Sequence, residues 1–184
     1  MDYTELFHSL HPGFFDRESI RALPLSDVSA EQVLYLDRFV PEKTRFPFPD
    51  GIRFDIYDGD TQKLVQAVGQ VEEGWKQYYE EPGEHPVFCA FDGDKVASFC
   101  TLHDMGFHLG LHVGGPGCVG TVPGYRRRGI GLEMVRRATE YFQKNGFDLA
   151  YIHYTHVDKW YEKLGYETVL KWNSGGIVWV KPET

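Results

Sequence analysis

The sequence predicts a mixed α/β (α+β) fold, a sheet covered by helices. Three observations predict it. Apolar residues recur at helical spacing after Asp60 and again after Gly131. Around those stretches lie short apolar runs bounded by Gly, Asn and Asp, as strands between turns would be. The chain of 184 residues is 42% apolar and 15% aromatic, enough for a real core in one domain spanning 1–184.

The elements follow in order. Residues 3–9 read as a short helix stopped by His11-Pro12-Gly13, and Ser19–Leu25 as a short strand or extended segment ending at Pro24. Ser29 with Gln32 three residues on forms a capping box, which predicts a helix to about Phe39. A proline-punctuated stretch, Pro41 through Gly51, precedes Ile52, Phe54 and Ile56, which alternate as an edge strand would. Leu64, Val68, Val71, Trp75 and Tyr78 make one stripe, predicting a single helix over 61–80.

After Pro86, Val87–Phe91 and Lys95–Leu102 flank Asp92-Gly93-Asp94 as a hairpin. Residues 111–122 read as a glycine-rich strand, and glycines inside a strand mark a bulge or the close approach of a ligand. A helix over 131–145 carries Leu132, Val135, Thr139 and Phe142 on one face and ends at Asn145-Gly146. Leu149–Tyr154 is a strand, Val157–Leu164 a short helix, and Tyr166–Trp172 and Ile177–Val180 are strands around a turn at 173–176.

Charge narrows the partners. The formal net charge is −8, but residues 1–118 hold 9 basic and 20 acidic groups while residues 119–184 hold 10 and 7. The acidic part argues against nucleic acid and suits a cationic acceptor; the basic remainder expects something anionic. No apolar run approaches the roughly 18 residues of a membrane helix, and the start has no secretory pattern. Cys89, Cys100 and Cys118 form no CxxC pair, so a disulfide scaffold and a zinc knuckle are excluded and a reducing, cytoplasmic setting is expected. An aromatic-rich chain of this kind could also bury surface as a homodimer.

Chemistry concentrates at 117–145. Arg126-Arg127-Arg128-Gly129-Ile130-Gly131 opens the 131–145 helix, where unpaired amides and the helix dipole favour phosphate. Three arginines alone are usually a solvated run and Gly-x-Gly alone is weak; together, between a glycine-rich strand and a helix, they favour anion binding. The loop is not a Walker P-loop, and Met134 stands where a full GxGxxG would need glycine.

Arg126-x-x-Gly129-x-Gly131 resembles the Arg/Gln-x-x-Gly-x-Gly/Ala signature of the GCN5-related N-acetyltransferases (GNAT). About 30 residues on, Trp160-Tyr161-Glu162-Lys163-Leu164-Gly165-Tyr166 resembles a second element of that family. The resemblance covers about residues 87–180, the cofactor-binding core, with 1–86 as an N-terminal extension of strand and helix. It implies a mixed, mostly antiparallel central sheet flanked by helices, with splayed strands forming a CoA cleft. It further implies an N-acetyltransferase that passes an acetyl group from acetyl-CoA to a primary amine, small-molecule or peptide. The alternative is a non-catalytic acyl-CoA-binding sensor.

By the resemblance, the pyrophosphate would lie on Arg126, Arg127, Arg128, Gly129, Ile130, Gly131 and Leu132. The pantetheine arm would pair with Val119, Gly120, Thr121 and Val122, and Tyr161 would be the general acid. Amides near Thr121–Val122 could polarise the thioester carbonyl. Tyr154 takes the cofactor-contacting place that is Asn in many members. The general base stays open among His112, His153, His156, Asp104 and a water chain. His153-x-x-His156 lacks a carboxylate or Cys to complete a ligand set, so no metal is expected. Lys163 reads as an exposed helix lysine.

Overall fold

The computed structural model describes residues 1–182 apart from positions 82 and 84. Tyr3–Leu10 (α1) starts on Asp2, whose carboxylate accepts hydrogen bonds from the amides of Thr4 and Glu5. After one 3₁₀ turn at Phe14–Asp16 comes the short helix Glu18–Arg21 (α2). Then follow strands Ser29–Tyr35 (β1) and Ile52–Ile56 (β2), helices Thr61–Gly69 (α3) and Gln77–Glu80 (α4), and strands Val87–Asp92 (β3), Lys95–His108 (β4) and Leu111–Thr121 (β5). Helix Ile130–Lys144 (α5), strand Leu149–Thr155 (β6), helix Asp158–Tyr161 (α6), and strands Glu167–Asn173 (β7) and Gly176–Val180 (β8) complete the chain.

Three expectations are corrected. Residues 18–21 are helical, not extended. The segment after Ser29 is strand β1, not a helix. It lies between two neighbours, and six of its seven residues are buried, so ladder bonds and burial on both faces outweigh the local capping signal. The single helix over 61–80 is broken: α3 ends at Gly69, and a 3₁₀ turn at Glu73–Trp75 redirects the chain into α4. The stripe survives only in part: Leu64 and Val68 enter one cluster with Val71 and Trp75 packed against it, but Tyr78 is 53% exposed and Tyr79 takes the buried place instead.

Eight strands form one sheet in the order β2-β3-β4-β5-β6-β1-β7-β8. Every pairing is antiparallel except β5 with β6. Strands β5 and β6 pair only at Val113↔Leu149 and Gly114↔Ala150, near their starts, and separate beyond. α5 covers one face through Leu132, Val135, Ala138 and Phe142 against Cys100, Leu102, Ala150 and Ile152. The other face is covered by α1 and the 3₁₀ turn after it, over Val33, Tyr151 and Trp172, and by α3 and α4 over Cys89 and Phe99. Cys89 and Cys100 are fully buried free thiols, as small core hydrophobes would be.

The seam between β5 and β6 is where the fold prepares a site. Opposite Phe99 and Thr101, β5 places Gly120 and Gly117, so Cys118 and Val119 together face one residue of β4 as a bulge. Cys118 adopts φ 46°, and its carbonyl accepts a 2.7 Å hydrogen bond from the fully buried Tyr79 hydroxyl of α4. The bulge bends β5 away from β6 and is clamped from below by α4.

Candidate functional site

A cleft of about 920 Å³ opens on the α5 face where β5 and β6 part. Its floor is Val119 and Thr121 of β5, and its head is the loop from Tyr125 to Leu132. Val157, Trp160, Tyr161 and Lys163 form one wall, Phe46 and Pro47 the other.

The head is a cradle of backbone amides. Helix α5 begins after Gly129, and no side chain caps it. The first amides of the helix therefore point into the cleft with the positive end of its dipole. Arg127 and Gly129 both sit in the left-handed region, at φ 61° and 77°, which turns the loop sharply beneath the helix start. Glycine is required at 129 for a second reason, since a Cβ there would strike the carbonyl of Pro47 on the facing wall. The three arginines have separate tasks. Arg126 donates to the Thr121 carbonyl at 3.0 Å, tying the loop to β5, and Arg128 lies 5.8 Å over the Tyr125 ring. Arg127 has no partner of its own among the described residues.

The tail of the cleft is drier. Tyr161 is 6% exposed and packs on Trp160 and Tyr166 with ring centroids 4.8 and 6.0 Å away. The residue lines the cleft, its hydroxyl makes no hydrogen bond to a described residue, and burial holds the phenol above its usual range, that is, protonated. Neighbouring Tyr166 has a structural task. Because the Thr139 hydroxyl donates to the Val135 carbonyl, the Tyr166 hydroxyl donates to Thr139 at 2.9 Å.

The structure gathers most of the expected residues and separates three. Val119, Thr121, Arg126, Arg127, Arg128, Gly129, Ile130, Gly131, Leu132 and Tyr161 all line the cleft. Gly120 and Val122 do not, because alternate residues of a strand face opposite sides: a Cβ on Gly120 would meet Phe99, and Val122 joins the core beneath α3. The Val122 amide also donates to the Ala97 carbonyl at 3.0 Å, so it cannot polarise a carbonyl in the cleft. Tyr154, at φ 55°, turns its ring toward Phe14 and Trp172 on the other face. Lys163 is exposed as expected and yet borders the cleft. Phe46, Pro47, Trp160 and Val157 escaped sequence reasoning as lining residues; an aromatic flanking a loop proline was the only signal in the first wall.

The histidines fall elsewhere. His112 bonds Asp104 at 2.9 Å, and His156 bonds Asp27 at 2.7 Å. His153 bonds the buried Glu31 at 2.9 Å. None of them lines the cleft. His11, stacked 3.8 Å from His153, is pushed down to about 3 by burial and by that neighbour.

A cleft with an amide cradle at a helix start, beside two parting parallel strands, is the arrangement the signature at 126–131 implied. The family model of the acetyltransferase (GNAT) domain matches residues 58–169. The chain belongs to the GCN5-related N-acetyltransferases. Solved acetyltransferase structures share the fold at low identity. The GCN5-related glucosamine N-acetyltransferase region of a fungal multi-domain GH3 β-N-acetylglucosaminidase superposes with a TM-score of 0.65 at 20% identity, over 79% of this chain and 20% of that one. A tandem GNAT protein of clavulanic acid biosynthesis gives 0.61 at 13% identity, over 83% and 52%. A GCN5-related N-acetyltransferase from Kribbella flavida gives 0.54 at 19% identity, over 85% and 60%. This chain thus spans less than two thirds of each of those chains. A search of curated protein sequences finds no match. No helix among the described residues is long and apolar enough to cross a membrane.

Proposed function

We propose that the whole chain is one acetyltransferase domain that transfers the acetyl group of acetyl-CoA to a primary amine by direct attack on the thioester. The observation that carries the reading is the continuity of the cleft, from a basic amide cradle at the start of α5 to a buried, protonated phenol at Tyr161. A diphosphate suits the cradle, where Gly129 and Gly131 keep side chains out of the way and Arg127 supplies an uncommitted charge. The edge of β5 at Val119 and Thr121 suits an amide-bearing arm laid alongside it, as an added strand would lie.

In this reading the neutral amine nitrogen forms the new C–N bond as the C–S bond breaks; the departing thiolate takes the proton of Tyr161, and the proton shed by the nitrogen passes to solvent, from which the phenolate is reprotonated. Burial keeps the phenol neutral and so keeps its proton in place for the leaving thiolate, although it also makes the phenol a weaker acid. Holding both reactants in one cleft supplies a larger share of the rate than the proton does. The acidic N-terminal two thirds of the sequence supports a cationic acceptor.

The test is calorimetric titration with acetyl-CoA, followed by a panel of cationic, neutral and anionic amines scored by thiol release. Binding with turnover on cationic amines is expected. Binding without turnover on any amine would favour a sensor, and absence of binding would end the reading altogether.

A further inference from the structure

We propose that His11, Glu31 and His153 bind one divalent transition-metal ion of the zinc class, on the face of the sheet opposite the cleft. The three residues come from the turn after α1, from β1 and from β6, and one donor atom of each lies within 4.8 Å of the other two. Two imidazole nitrogens and a carboxylate oxygen are a donor set that suits Zn²⁺, whose bonds of about 2.0–2.2 Å place tetrahedral donors about 3.4 Å apart. His153 Nδ1 and Glu31 Oε2, 2.9 Å apart, would open slightly, and no other pair of donors would need to close by more than about 1.4 Å to meet that geometry.

Two further observations point to an ion here. The first is the state of Glu31, which is 1% exposed and whose only ion-pair partner among the described residues is His153. Its Oε1 accepts from Trp172 Nε1 at 2.6 Å and from the Tyr154 amide at 3.2 Å, fixing the carboxylate as outer partners fix a metal ligand. Its Oε2 is left with His153 Nδ1 at 2.9 Å and faces the histidines.

The second is an orphaned polar atom. Among the described residues, His11 Nε2 is buried without a hydrogen-bond partner, and it lies in this cluster. An unsatisfied imidazole nitrogen beside a buried carboxylate is explained by an ion or a water. An ordinary His153–Glu31 hydrogen bond accounts for Oε2 but leaves the His11 nitrogen unpaired; a metal ion takes it. Such an ion would tie the N-terminal segment to β1 and β6, so that binding tightens the covering of this face. His156, committed to Asp27 and Ser29, takes no part.

The experiment strips the full chain with a chelator and titrates it with Zn²⁺ by calorimetry and with Co²⁺ by visible absorption. The expected result is saturable uptake of one ion per chain, with a Tm that rises with metal concentration. His11→Phe keeps the aromatic packing and removes a ligand, so affinity falls by at least the roughly 10–100-fold that outer partners alone contribute. Should that variant fail to fold, judged by circular dichroism, His153→Phe serves in its place. His156→Gln leaves binding unchanged. No saturable uptake by the wild-type chain, unaltered affinity in the folded ligand variant, or loss of binding in His156→Gln overturns the proposal. Acetyl transfer enters none of these readouts, so the result stands apart from the fate of the proposed function.

Discussion

The same small change at two adjacent buried tyrosines should have opposite consequences. Tyr161→Phe removes a hydroxyl that bonds no described residue from a side chain lining the cleft, while the ring keeps its packing on Trp160 and Tyr166. Stability should therefore change by less than about 0.5 kcal/mol. Turnover should fall by about 100-fold or more, the usual share of a positioned general acid, which corresponds to about 2.7 kcal/mol of transition-state stabilisation. Tyr166→Phe instead removes the donor to Thr139 inside the core. It should cost about 1 kcal/mol, or about 2–4 °C in Tm, and leave turnover alone. Both variants are assayed by thiol release with the best amine, by acetyl-CoA affinity in calorimetry, and by thermal unfolding. Unchanged turnover in Tyr161→Phe refutes the acid role. So does a loss of turnover matched by an equal loss of acetyl-CoA affinity, because the hydroxyl would then be a binding group.

Further predictions concern the cradle and its supports. Gly129→Ala meets both a left-handed backbone and the Pro47 carbonyl, so it should destabilise the fold by about 1–2 kcal/mol and weaken acetyl-CoA by more than tenfold, read by unfolding and calorimetry. Arg127→Ala should weaken acetyl-CoA and flatten the dependence of its Kd on salt, with Tm unchanged, since Arg127 has no protein partner among the described residues. Tyr79→Phe should cost about 1–3 kcal/mol by stranding the Cys118 carbonyl, and should lower turnover through the bulge. Arg136→Met breaks a buried pair in which Arg136 and Arg137 both bond Glu133, and should cost about 3 kcal/mol at pH 7. Burial raises the Glu133 carboxyl, but the hydrogen bonds and charges of Arg136 and Arg137 outweigh it and hold the folded value low. The pair therefore contributes fully above the unfolded value near 4.3 and is lost as pH falls through the lower folded one. The gap in stability between wild type and variant should accordingly narrow as pH falls below the unfolded value near 4.3; a gap that stays constant would count against the ion pair as its source.

The sequence alone determined the parts whose signal is local. The arginine–glycine loop announced itself because a left-handed turn, close backbone approach and a helix start all demand particular residues at fixed spacing. The stripe of α5 and the Asp-Gly hairpin were equally plain, since each depends on neighbours a few positions away. Tertiary structure decided what depends on distant partners. The capping signal at Ser29 gave way to a strand because β6 and β7 left a slot whose ladder bonds and two-sided burial only a strand can satisfy. Which residues of 119–122 face the cleft followed from the bulge at Cys118, held by a tyrosine 39 positions earlier in the chain. His153 likewise turned away from its sequence neighbour His156 toward His11 and Glu31, each more than a hundred residues distant. A buried carboxylate needs its partners in space, and no spacing along the chain could have named them.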